Sequence, residues 1–71
     1  MNIMQKVIGS FNKSDTAEVR VSTSTWKGRA VVDVRVWYKP DGSPGLVPSR
    51  KGITMDSYKI KELVEILNRL L

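Results

Sequence analysis

The sequence predicts an α+β domain, a small antiparallel sheet followed by one C-terminal helix and paired as a homodimer, and three observations point there. Apolar and polar residues alternate through Glu18 to Ser24 and through Ala30 to Tyr38, the period of strands whose two faces differ. Ile60, Leu63, Val64, Leu67 and Leu71 fall at i, i+3, i+4, i+7 and i+11, one apolar stripe along a helix. The chain has only 71 residues, and a single core of that size supplies about 3–5 kcal/mol, so association with a second copy is an expected source of stability.

Residues 1–16 form an N-terminal arm or an extra strand, in which Ile3, Val7, Ile8 and Phe11 supply apolar contacts and Asn12 to Thr16 a polar connection. Residues 17–71 form the domain proper. Val19 and Val21 share one side of the first clear strand, with Arg20 and Ser22 on the other. Trp26, Lys27, Gly28 and Arg29 interrupt the alternation as a hairpin, because Gly28 tolerates the positive φ that a tight turn needs. In the next strand Val32, Val34 and Val36 line one face, and Val31, Asp33, Arg35 and Trp37 line the other.

Pro40, Asp41, Gly42, Ser43, Pro44 and Gly45 make a loop. Leu46 to Pro48 and Ile53 to Met55 read as two short strands separated by a basic turn at Ser49, Arg50, Lys51 and Gly52, with Pro48 at an edge. Asp56 is placed to cap the N-terminus of the helix that runs to the end of the chain. Ile66 and Leu70 widen its apolar arc beyond what one sheet needs. Ile60, Leu63, Val64, Ile66, Leu67 and Leu70 are therefore the expected dimer interface.

The composition excludes much chemistry. With no Cys and no His there is no thiolate nucleophile, disulfide, imidazole base, metal centre of the usual zinc types or cofactor site to expect, and a binding protein is favoured over an enzyme. No long apolar run suggests a membrane span or a signal peptide, so no membrane partner is expected and the protein should stay where it is made. The formal charge of +5 is local. Ala17 to Gly52 carries Arg20, Lys27, Arg29, Arg35, Lys39, Arg50 and Lys51 against Glu18, Asp33 and Asp41, whereas Ile53 to Leu71 is balanced. Such clustering is the footprint of a surface that meets a polyanion.

Aromatic rings interleave with these cations. Trp26 sits beside Lys27 and Arg29, and Arg35 lies near Trp37 and Tyr38. Unpaired bases stack on such rings while cations hold the phosphates. A Trp is otherwise a core anchor, but a hairpin tip is a poor place for core.

The run Val19-Arg20-Val21-Ser22, Trp26-Lys27-Gly28-Arg29, Val32-Asp33-Val34-Arg35 with Trp37-Tyr38, and Pro48-Ser49-Arg50-Lys51-Gly52-Ile53-Thr54 resembles the single-stranded-DNA-binding domain of the transcriptional positive cofactor four family. The resemblance extends from about Glu18 to the C-terminus. It implies a curved four-stranded antiparallel sheet followed by one helix, a homodimer, and single-stranded DNA as the partner. It places Trp26 and Tyr38 as stacking rings and Lys27, Arg29 and Arg35 as phosphate contacts, and matches Arg50 and Lys51 to the family's basic pair, which adds them to the expected nucleic-acid-binding set. Beside the resemblance, Arg20, Trp37 and Lys39 are additional candidates from the residues themselves. Ser24 stands where some members have Arg, Val47 where they have Lys and Ser49 where they have Gly, and the turn from Asp41 to Gly45 is one residue longer.

Simple alternation groups Arg35 with Trp37, whereas the resemblance selects Tyr38, which a bulge or strong twist near the strand end would bring round. Asp33 is expected to pair with a neighbouring cation. The expected role is largely sequence-independent DNA binding in transcription regulation, replication or recombination, with transcription or replication proteins as further partners. A protein-interaction adaptor and an RNA-binding module are the alternatives. Eukaryotic members resembling this domain usually carry a long Ser- and Lys-rich leader, so a short one suggests a bacterial or viral form in the cytoplasm or nucleoid, with the nucleus as the location of a eukaryotic one.

Overall fold

The structure, a computed structural model, describes residues 5–71. Ile3 and the start of the N-terminal segment lie outside the described residues. Four strands, β1 (Lys6–Ser14), β2 (Ala17–Trp26), β3 (Arg29–Tyr38) and β4 (Val47–Asp56), form one antiparallel sheet in the order β1-β2-β3-β4. A short 3-10 turn (Ser57–Lys59) leads into the helix α1 (Ile60–Asn68). No helix among the described residues is long and apolar enough to cross a membrane.

The β2–β3 hairpin is in continuous register from Ala17 opposite Tyr38 to Trp26 opposite Arg29. Its two-residue turn has Lys27 at φ 51° and Gly28 at φ 75°, the primed turn whose twist matches that of the strands it joins. The register sorts the side chains onto two faces. Glu18, Arg20, Ser22, Ser24 and Trp26 stand with Arg29, Val31, Asp33, Arg35 and Trp37 on a polar face, while Val19 and Val21 stand with Val32, Val34, Val36 and Tyr38 on an apolar one.

β1 joins the sheet with irregularities between Val7 and Gly9 and between Asn12 and Ser14. Each inserts a residue and flips the alternation that follows, which is why this strand carries no clean period in its sequence. The β4 region departs from expectation more sharply. Leu46 to Pro48 and Ile53 to Met55 are not two strands separated by a basic turn; they belong to a continuous segment, with β4 starting at Val47. Arg35 pairs with Gly52 and Trp37 with Pro48, so Ser49, Arg50 and Lys51 stand opposite the single residue Val36. The turn-forming residues are absorbed as a bulge.

Asp56 also differs from its expected role. It occupies the residue before the 3-10 turn but makes no side-chain cap, and its carboxylate pairs instead with the Arg29 guanidinium. The Ser57 hydroxyl donates to the Ala30 carbonyl at 3.1 Å, tying the helix entry to β3. Beyond that tie the helix is weakly held, with no buried residue. Val64, Ile66, Leu67 and Leu70 are 47%, 56%, 48% and 81% exposed. Among the described residues the buried apolar side chains are Val31 and Val32 alone.

Candidate nucleic-acid interface

The centre of the polar face is a closed set of charges. The Arg35 Nε lies 3.2 and 3.0 Å from the two Asp33 carboxylate oxygens, Nη2 lies 2.8 Å from Oδ1, and Nη1 donates to the Ser49 carbonyl at 3.0 Å. The Thr54 hydroxyl donates to Asp33 Oδ1 at 2.7 Å. Burial pushes the Asp33 carboxyl up, but the hydrogen bonds from Arg35 and Thr54 and the arginine's charge together hold it below its ordinary value. The same hydrogen bond to Asp33 raises Arg35 against an opposing effect of burial. The carboxylate of Asp33 therefore pairs within its own strand, as its sequence context suggested.

Arg20 pairs with Glu18 and stacks over the Trp37 ring, its Cζ 4.3 Å from the centroid. The three expected cations Arg20, Arg29 and Arg35 are thus each engaged by an acid. Among the described residues Lys13, Lys27, Lys39, Arg50 and Lys51 have no ion-pair partner, and all five lie toward the ends of the sheet.

At the hairpin end, Trp26 is 53% exposed and the Lys27 Nζ lies 4.5 Å from its ring centroid, within cation–π range. Lys27 holds a left-handed backbone conformation that costs an L side chain of this kind on the order of 1 kcal/mol. Asn or Gly would sit there at less cost.

Trp26 and Trp37 line one cleft of about 780 Å³ on the polar face, together with Arg29, Asp33, Arg35 and Thr54. The strand rise places them about 26 Å apart along β3. The two rings are at opposite ends of that cleft.

Tyr38 lies on the other face. The pairing of β2 with β3 is unbroken through Tyr38 opposite Ala17, so no bulge in β3 brings this ring beside Arg35. The extra residues are on β4 instead, and alternation places Trp37 with Arg35 and Arg20. Tyr38, 43% exposed, lines a separate cleft of about 650 Å³ with Lys13, Val36, Arg50 and Lys51. Lys39 follows it, its backbone N–H donating to the Thr16 carbonyl at 3.1 Å. Lys13 was not among the expected site residues. Nothing local in its sequence marks it, and only the β1–β2 register brings it to the Tyr38 end.

The expected set therefore divides. The structure brings Trp26, Lys27, Arg29, Arg35, Trp37 and Arg20 to one face, and Tyr38, Arg50 and Lys51 to a cleft at the far end, joined by Lys13.

Comparison with known proteins agrees with this fold. A crystal structure of a PC4 homolog from Burkholderia pseudomallei superimposes with a TM-score of 0.81 at 31% identity, covering 94% of this chain and 97% of that one. A second crystal form of the same homolog gives 0.82 at 29% identity, over 92% and 86% of the two chains. A bacteriophage T5 homolog of the eukaryotic coactivator PC4, itself implicated in recombination-dependent DNA replication, shares the fold with a TM-score of 0.70 at 14% identity, over 100% of this chain and 78% of that one. A search of curated protein sequences finds no match. The profile of one family, Transcriptional Coactivator p15 (PC4), matches residues 11–66. With most of its length matched by that profile and its four strands and helix superimposing on solved homologs, the chain belongs to the transcriptional coactivator p15 (PC4) family.

Proposed function

We propose that this protein is a homodimeric, largely sequence-independent single-stranded-DNA-binding protein acting in transcription regulation, replication or recombination. The observation that carries the reading is the coincidence, at both ends of the sheet, of exposed aromatic rings with cations that have no acidic partner: Trp26 with Lys27, and Tyr38 with Lys13, Arg50 and Lys51. Rings accept stacked bases of any identity and the cations hold phosphates, which gives affinity without base readout. A duplex keeps its bases stacked internally and offers these rings nothing. Family membership supports the DNA ligand, and a phage homolog implicated in DNA replication supports the process. Such a ligand would place the protein in the cytoplasm or nucleoid, beside transcription or replication proteins.

Dimerisation is supported by what a single chain leaves open. The chain exposes 5914 Å², where a compact monomer of 8.0 kDa exposes about 4,500 Å². The excess matches one protomer's share of an obligate dimer interface. Ile60, Leu63, Val64, Ile66, Leu67 and Leu70 supply the apolar helix face for a second copy, and the two buried valines found among the described residues do not make a core that holds alone.

Tryptophan fluorescence titrated with an unstructured oligothymidylate, beside a duplex of equal length, tests the ligand. Tighter binding of the single strand is expected, and equal affinity for the duplex would refute it. Sedimentation equilibrium tests the assembly, with a dimer at micromolar concentration expected and a folded monomer contradicting it. Matched RNA and DNA strands in competition decide the sugar preference.

A further inference from the structure

Arg35 stands in the middle of the basic run, where sequence reasoning assigns it to phosphate, yet the structure gives its guanidinium other work. Its Nε and Nη2 grip Asp33 on its own strand, and its Nη1 reaches across to the Ser49 carbonyl at 3.0 Å. Ser49 is the first of the three bulged residues opposite Val36. At its far end the bulge closes at Gly52, where an added Cβ would lie 2.6 Å from the Val34 carbonyl oxygen and 2.8 Å from the Arg35 Cα. Within it, the Lys51 N–H donates to the Ser49 hydroxyl at 3.0 Å. The two residues held between these ties are Arg50 and Lys51, both without an acidic partner.

We propose that Arg35 is a positioning residue for the β4 bulge: by clasping Asp33 and the Ser49 carbonyl together it holds Arg50 and Lys51 where they meet phosphate, and is not itself a phosphate contact. The proposal rests on the nucleic-acid reading above. Its chemistry is that of a planar fork. One guanidinium binds a carboxylate with two nitrogens while a third reaches a carbonyl, a geometry that a lysine ammonium on a flexible stem does not reproduce. A phosphate contact made at long range asks only for positive charge, which lysine retains.

The test is Arg35→Lys, read by oligothymidylate affinity over a salt series. A positioning role predicts a loss on the order of tenfold, together with a shallower salt dependence although no charge has been removed, because Arg50 and Lys51 no longer engage. A direct phosphate contact predicts affinity and slope near wild type, which would overturn the proposal. Combining Arg35→Gln with Arg50→Ala and Lys51→Ala gives a second arm. Positioning makes the losses strongly non-additive, and independent additive losses contradict it.

Thr54→Val loosens the clasp without touching a charge and serves if Arg35 variants do not fold. A two- to threefold loss on the order expected for one hydrogen bond supports the clasp, and no change counts against it. If the wild-type protein binds no oligonucleotide, the functional reading fails by itself. The clasp is then read by amide hydrogen exchange in Arg35→Lys or Thr54→Val. Faster exchange confined to Ser49, Lys51 and Gly52 supports it, and unchanged protection there refutes it.

Discussion

The centre of the polar face and the two ends of the sheet use the same residue types to opposite effect. At the centre, Arg20 and Arg35 are locked to Glu18 and Asp33, partly buried, and tied to Trp37, Ser49 and Thr54. At the ends, Lys27, Lys39, Arg50 and Lys51 have no acidic partner, and two of the rings beside them, Trp26 and Tyr38, are exposed. A positive charge within the basic run is thus not automatically available to a polyanion. Acidic neighbours decide which of these cations are tied into the sheet and which stay unpaired.

Gly52→Ala should disturb the centre most. Backbone from Val34 and Arg35 occupies the space a methyl would need, and neither strand can give way without losing register, so thermal or urea unfolding should show a loss of about 3 kcal/mol. At the hairpin end, Trp26→Ala should leave unfolding almost unchanged and weaken oligonucleotide binding by about 2 kcal/mol, since the ring is more than half exposed. Loss of fold instead would make Trp26 a core residue.

Asp33→Asn should cost about 1 kcal/mol of stability at neutral pH. Because the folded carboxyl titrates below its unfolded value, Asp33 stabilises the fold fully above about pH 4 and loses that contribution as pH falls through the folded pKa. The variant should therefore unfold with a weaker acid dependence than wild type in a pH series of thermal melts. Lys27→Asn should show the smallest effect and two opposite signs: a gain of about 0.5 kcal/mol from relieving the left-handed backbone, with a drop in salt slope of about 0.7 for one lost phosphate contact. A variant that gained stability without losing affinity would remove Lys27 from the interface.

Much of this architecture was legible because the β2–β3 hairpin obeys its own pattern. Val32, Val34 and Val36 alternate cleanly, and Gly28 sits where the turn needs it. The resemblance supplied the four-strand count. Elsewhere local signals were overridden by pairing. Pro48, Ser49 and Gly52 are turn formers, yet strand pairing on both sides of them turns the expected loop into a bulge. Asp56 has the chemistry of a helix cap, but a guanidinium is the stronger partner for its carboxylate and Arg29 is within reach.

The candidate site was legible in residue type but not in arrangement. Trp26 and Lys27 could be found because they neighbour each other in sequence. The separation of Tyr38 from Arg35 follows from register in β3, and the arrival of Lys13 beside Tyr38 follows from two irregularities in β1. Neither is written in a local stretch of sequence.

The division between centre and ends is tested most directly by the salt dependence of oligothymidylate affinity for Arg20→Gln and Arg50→Gln beside wild type. Each variant removes one charge from the basic run. Arg50→Gln should lower the slope of log K against log salt by about 0.7, the value for one phosphate contact on a single strand, and Arg20→Gln should leave the slope at the wild-type value. Equal losses of slope in the two variants would show that a paired arginine reaches the phosphates as well as an unpaired one, and would contradict the division.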